Sequence, residues 1–280
     1  MYYLHEPIVV KAKEFVVLGL GYPTLVPTTG TEALVVTGAD VRVAAVLLEA
    51  GTSLNTTSSP TAPLLRWSGD DGVASDIFAR VGAFNHTGPS KLACARTRAD
   101  VHMLVEGANL LLDNTWLWHA DHDDCGGLSD QSRSDHGLVV TGKGAIAYSL
   151  KVEHTFDDLT LWKGEGGAVY MYQSELPYHH ASFASVGYRV APHVTTHQAV
   201  GIGVYLIGQP YKVPTGVRLP PTADVQHVFV WAIAEAHEMF GSVVCAGARD
   251  DRNATCYQGD TCDWSSCYQL ALPRPTVEEA

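Results

Sequence analysis

Two glutamates separated by 22 residues, Glu153 in "KVEHT" and Glu175 in "YQSELPYHH", stand at the ends of short apolar runs. A carboxyl group held beside a second carboxyl resists ionising with it, so one of the two keeps its proton to higher pH. Such a pair could serve as a general acid and the neighbour that tunes it. Aromatic and amide side chains surround both positions. Trp116 and Trp118 alternate with Leu117, which puts the two indoles on one side of a strand. Tyr170 and Tyr172 alternate with Met171 and are followed by Gln173, and His154 directly follows Glu153. The bland alternative is that both glutamates are solvated strand ends and both tryptophans fill the core.

The elements that would hold these residues are strands. The apolar runs are short, rich in Val, Ile, Leu and Tyr, and punctuated by Gly, Asp, Asn and Thr: "FVVLGL", "ALVVTG", "VRVAAVLLEAG", "AVGIGVYLIG". Only "VWAIAEAHEMFG" has a pattern that would suit a short helix. The runs also repeat. Aligning the blocks at 36–51, 105–120, 140–155 and 163–176 superposes Gly38, Gly107, Gly142 and Gly164 and puts Glu49, Trp118, Glu153 and Glu175 in one column. An offset of 22 residues suits one coil of a solenoid. The expectation is an all-β protein, a right-handed parallel β-helix of the single-stranded, pectin-lyase-like kind. An antiparallel sandwich is the rival, but it calls for Asn-Gly or Asp-Gly hairpins, and these are few.

The chain has 280 residues, 46% of them hydrophobic, enough for a substantial core. Its net charge of −12, with no basic cluster, argues against nucleic acid as a partner. No window approaches the roughly 18 apolar residues of a membrane helix, so no membrane partner is expected. Three sequons, at Asn55, Asn85 and Asn253, fall in polar stretches and point to glycosylation and secretion. Of the six cysteines, Cys245, Cys256, Cys262 and Cys267 crowd near the C-terminus. They read as disulfide staples rather than a zinc site, since the cluster has no CxxC pair and its nearest histidine is His237. The expected division is a β-helix over 1–244 and a Cys-rich segment over 245–280 packing on its end. The run His119, Asp121, His122, Asp123 and Asp124 reads as turn and pocket-wall residues rather than a metal nest, as do His179 and His180. No metal and no cofactor is expected.

Three ordered segments carry a family. "DNTWLWHADHDD" (113–124), "EHT" (153–155) and "VYMYQSELPYH" (169–179) resemble the signature segments of glycoside hydrolase family 55, the exo-β-1,3-glucanases or laminarinases. The resemblance implies two β-helices side by side with a substrate pocket at their junction, of which this chain looks like the C-terminal one. It implies an inverting hydrolase of β-1,3-glucan acting from the chain end, with Glu175 as general acid and Glu153 as its neighbour. Trp116, Trp118, His154, Gln173 and Tyr178 would then bind sugar, and a companion N-terminal β-helix would complete the pocket. A non-catalytic glycan-binding β-helix, or a half-site fragment, is the second reading. A polysaccharide lyase is the third, and the column of glutamates and tryptophan lacks the Asp cluster and basic proton abstractor it needs.

Overall fold

The computed structural model describes residues 1–28, 30–51, 62–82, 97–120, 132–177, 183–207, 213–233, 240–246 and 267–268. β1 (Tyr2–Leu4) precedes the first full coil, which holds β2 (Ile8–Val10), β3 (Val16–Leu18) and β4 (Thr24–Pro27), the last pairing back to β1. Each later coil adds one strand to each of two sheets, a shorter one and then a longer one: β5 (Leu34–Val36) and β6 (Arg42–Glu49), β7 (Leu65–Trp67) and β8 (Val73–Val81), β9 (Val101–Val105) and β10 (Leu111–His119). The succession continues through β11 (His136–Val140) and β12 (Ile146–Glu153), β13 (Thr160–Trp162) and β14 (Gly167–Glu175), β15 (Tyr188–Val190) and β16 (His197–Ile207), β17 (Val213–Leu219) and β18 (Asp224–Ile233). Finally come β19 (Phe240–Ala246) and β20 (Cys267–Tyr268).

One sheet runs β1-β4-β6-β8-β10-β12-β14-β16-β18 and the other β2-β5-β7-β9-β11-β13-β15-β17-β19-β20. Among the described residues every strand pairing is parallel except β19 with β20. The fold is a right-handed parallel β-helix, and the sandwich is excluded because its strands would pair antiparallel. The stretch Val230–Ile233, expected as the start of a helix, is the end of β18. Its alternation of Phe229, Trp231 and Ile233 with smaller residues has strand period, and pairing with β16 decides the outcome.

Two repeating devices set the register. The corner glycines stack: a Cβ on Gly69 would lie 1.9 Å from the Gly38 carbonyl oxygen, on Gly107 2.0 Å from that of Gly69, on Gly142 1.8 Å from that of Gly107, and on Gly164 1.8 Å from that of Gly142. Any side chain there would drive neighbouring coils apart, which is why the corner recurs as glycine. The second device is a left-handed residue in mid-strand. Ala45, Asp76, Asn114, Ser149, Met171, Gly201 and His227 all have φ between 50 and 73°, and the ladder skips each of them. The backbone bends there and the in–out alternation restarts. Polar groups line part of this bend: Asn114 Nδ2 donates to Asp76 Oδ1 at 2.6 Å, and Lys151 Nζ donates to Asn114 Oδ1 at 3.4 Å and Ser149 Oγ at 3.3 Å.

Inside, side chains of like position stack coil on coil. Leu34, Leu65, Met103, Leu138, Thr160 and Tyr188 form one buried ladder, and Leu48, Ala79, Leu117 and Val152 another. Burial on this scale is the main stabilising term.

Candidate active site

Because parallel coils pair residue to residue, a side chain's neighbours along the helix axis follow from register alone. The longer strands align Glu49, Arg80, Trp118, Glu153, Glu175, Tyr205 and Trp231 in one column. Two positions earlier on the same strands run Phe78, Trp116, Lys151, Gln173, Gly203 and Phe229. The intervening Ala79, Leu117, Val152, Ser174 and Val204 are buried, so both columns face outward. The four-residue column read from the repeats is thus present, with Arg80 inserted between Glu49 and Trp118.

Glu153 and Glu175 are direct register partners on β12 and β14. Glu153 is buried, and the Glu175 side chain keeps 23% of its exposure, enough to meet a ligand. Gln173 Nε2 donates to Glu175 Oε1 at 3.1 Å, and His154 Nε2 lies 3.6 Å from Oε2. His154 also donates its backbone N–H to the Glu175 carbonyl at 2.9 Å, and its φ of 63° ends β12 with a left-handed turn beside the acid. Gln173, expected as a sugar contact, therefore bonds the carboxyl group itself, and His154, also expected as one, packs beside it. The nearby cation Lys151 is directed to Asn114 and Ser149, along the bend.

Beside the acids stands an aromatic group. Phe78 and Trp116 stack with centroids 4.6 Å apart and planes at 18°, and Trp116 and Trp118 stack at 5.7 Å and 25°. Trp116 is exposed and Leu117 is in the core, so the indoles belong to the surface. Parallel rings at these distances are slipped, leaving part of each face open. Tyr170 and Tyr172 behave differently from the expected alternation. The left-handed Met171 between them turns Tyr172 into the core, where its hydroxyl donates to the Gly187 carbonyl, while Tyr170 stays outside and bonds Gln198 Oε1 at 2.6 Å. Tyr178 lies outside the described residues, as do Asn55, Asn85, Asn253, Cys256, Cys262, Asp121, His122, Asp123, Asp124, His179 and His180.

Arg80 and Glu49 close the column at its N-terminal end. The guanidinium meets the Glu49 carboxylate through both Nε and Nη2. Burial pushes the Glu49 carboxyl up to about 7, against the opposing pull of Arg80. Arg80 is the residue the repeat alignment missed, because its block, "WSGDDGVASDIFARVG", was not placed in the register. Gly69 in that block is the signal that would have found it.

His119 is buried, with Nε2 3.0 Å from the Ser132 carbonyl, and burial lowers it to about 3. His102 and His197 are likewise held neutral by burial, each near 4. Among the described residues no three His, Cys, Asp or Glu side chains converge on a cation position. An open apolar hollow of about 410 Å³ is lined by Tyr2, Leu4, Ile8, Leu18, Leu20, Pro23 and Leu25. It sits on the first coil, several coils from Glu175, and holds no chemistry of the column.

A known protein family and solved structures match this geometry. The model of the LAM55 pectate lyase-like domain matches residues 1–175. An exo-beta-1,3-glucanase of Streptomyces sp. (strain SirexAA-E / ActE) is 32% identical over 219 residues, covering 73% of this chain and 34% of that protein. The structure of sacteLam55A from Streptomyces sp. SirexAA-E superposes with a TM-score of 0.73 at 26% identity, over 88% of this chain and 46% of that one. A glutamate-to-alanine variant of sacteLam55A in complex with glucose gives 0.72 at 25%, with the same coverage. The chain spans about a third of the length of the curated relative and about half of the solved ones. With the matched stretch running from the first coil through both glutamates, the chain belongs to the LAM55 pectate lyase-like domain family.

Proposed function

We propose that this chain carries the acid-bearing half of a glycoside hydrolase that acts on β-1,3-glucan from the chain end with inversion. The observation that carries the reading is the stacked pair Glu153–Glu175, with Glu175 partly open, its carboxyl oxygens met by Gln173 and His154, and a tryptophan one coil before the pair. The name of the curated relative, an exo-beta-1,3-glucanase, and the glucose complex of the solved one support the substrate class.

In this reading Glu175 is the general acid. Glu153, one strand spacing or about 4.8 Å along the axis, disfavours a second negative charge, so Glu175 stays protonated. As the bond between the anomeric carbon and the glycosidic oxygen breaks, the Glu175 proton passes to that oxygen and the departing chain leaves as an alcohol. Water attacks the anomeric carbon from the opposite face and loses its proton to a base. The product sugar has the opposite configuration. Gln173 and His154 fix the direction of the acid, and Trp118 and Trp116 offer apolar faces to the rings.

The rest of the pocket comes from a companion β-helix. Support for this lies in the chain's coverage of 46% of its solved relatives and in the apolar first coil, where Leu18 and Leu20 are 60% and 84% exposed. The same coverage favours the second reading, a half-site that binds glucan without turnover. Secretion, glycosylation at Asn55, Asn85 and Asn253, and disulfides among Cys245, Cys256, Cys262 and Cys267 complete the proposal. β19 and β20 put Cys245 opposite Cys267 in antiparallel register, a separation a disulfide can span. Reducing-sugar release from laminarin, by the chain alone and joined to any adjoining N-terminal sequence, tests the function. Activity in either form supports the hydrolase, glucan binding without release supports the half-site, and products absorbing in the ultraviolet indicate a lyase.

A further inference from the structure

The glutamate column continues past Glu175. Tyr205 is its partner on the next coil, and Trp231 pairs with Tyr205 on the one after. Alongside, Gln173 is followed by Gly203 and then Phe229. A Cβ on Gly203 would lie 2.6 Å from Phe229 Cζ, so the missing side chain is what lets that ring lie across the coil. Phe229 meets Tyr205 edge to face at 5.5 Å. Trp231 is 60% exposed and has no ring or hydrogen-bond partner among the described residues, unusual for the largest apolar side chain. Gly203, Tyr205, Phe229 and Trp231 lie beyond the stretch that matches the family model.

We infer that Trp231, backed by Tyr205 and Phe229, is a carbohydrate subsite on the side of the acid opposite to Trp118, and that it takes the leaving part of a neutral glucan chain. The inference rests on Glu175 being the acid. Charge selects the ligand: β16 and β18 contain no lysine or arginine, so nothing in these strands favours an anionic polysaccharide. Openness selects the side. Toward Trp118 the column ends in the Arg80–Glu49 pair, whose carboxylate is wholly buried, so a sugar there meets a wall. Toward Trp231 the column ends, among the described residues, in a side chain that is 60% exposed, as the rest of a long substrate requires. Two coils at about 4.8 Å put Trp231 about 10 Å from Glu175, beyond the first leaving sugar and in reach of the second.

The test is calorimetric titration of laminari-oligosaccharides of increasing length, from the disaccharide upward, into the full chain carrying E175Q, alone and combined with W231A, W118A or Y148A. Tyr148 is an exposed aromatic before the mid-strand bend and serves as the control. W231A is expected to weaken the trisaccharide and longer ligands about tenfold, a loss of one stacked ring, while sparing the disaccharide. W118A is expected to weaken every length. Equal behaviour of W231A and Y148A, or the same length dependence for W231A and W118A, overturns the subsite. Failure of the folded E175Q chain to bind any length, both alone and joined to any adjoining N-terminal sequence, overturns the functional reading beneath it.

Discussion

The roles of Glu175, of His154 beside it and of Arg80 further along the column can be separated. Replacing Glu175 by Gln removes the proton but keeps the shape, so E175Q should lower turnover by about a thousandfold with an unchanged circular dichroism spectrum. Replacing His154 by Gln keeps a polar group near Oε2 without the imidazole. This should lower kcat about tenfold, leave KM for laminarin nearly unchanged and shift the alkaline limb of the pH profile, where the acid loses its proton, whereas a mere packing role would move only the melting temperature. Arg80 acts on the fold. Truncation in R80M leaves Glu49 buried without its partner and should cost about 3 kcal/mol in urea unfolding. These residues, with Glu153, were unequally legible. Glu175 and Glu153 stood out because their blocks share one spacing, and His154 because it follows Glu153. Arg80 was missed because its block was left out of the alignment, although Gly69 occupies the corner position there.

At the scale of elements, register does the work that loops do in most sites. A strand displaced by one residue would exchange Glu175 for Ser174, which points inward. The glycine corner and the left-handed bend both guard against such a slip. Substituting Gly142 by Ala puts a Cβ 1.8 Å from the Gly107 carbonyl oxygen, and G142A should lower the melting temperature by several degrees, corresponding to about 2–3 kcal/mol. The glycine column was readable as sequence, and with it the helical stacking of coils. The bend was not, because left-handed residues there are of seven positions only one Asn and one Gly; Ala45 and Met171 carry no signal for it. That is why Tyr172 was expected beside Tyr170 and is found in the core. The end of β18 was misread for a related reason: a short apolar run has no period long enough to separate helix from strand.

The molecule as a whole combines buried neutral histidines with a column of acids of which only Glu175 is partly open. His102, His119 and His197 have folded values of about 4, 3 and 4, below the ordinary 6.5. Their stabilisation is complete above pH 6.5 and is lost as pH falls toward 4, because the unfolded chain takes up protons that the fold refuses. Glu49, raised to about 7, acts in the other sense between pH 7 and 4.5 and adds no further change below that range. Chemical unfolding at pH 6.5, 5.5 and 4.5 should therefore show a shallow decline that steepens toward the lowest value, and H119N should flatten it. The most direct measurement follows the anomeric protons of the sugar released from laminarin by this chain joined to any adjoining N-terminal sequence, for the wild type and for E175Q. The account predicts glucose appearing first as the α-anomer from the wild type and essentially none from E175Q. Release by E175Q at the wild-type rate, or glucose appearing first as the β-anomer, would contradict it.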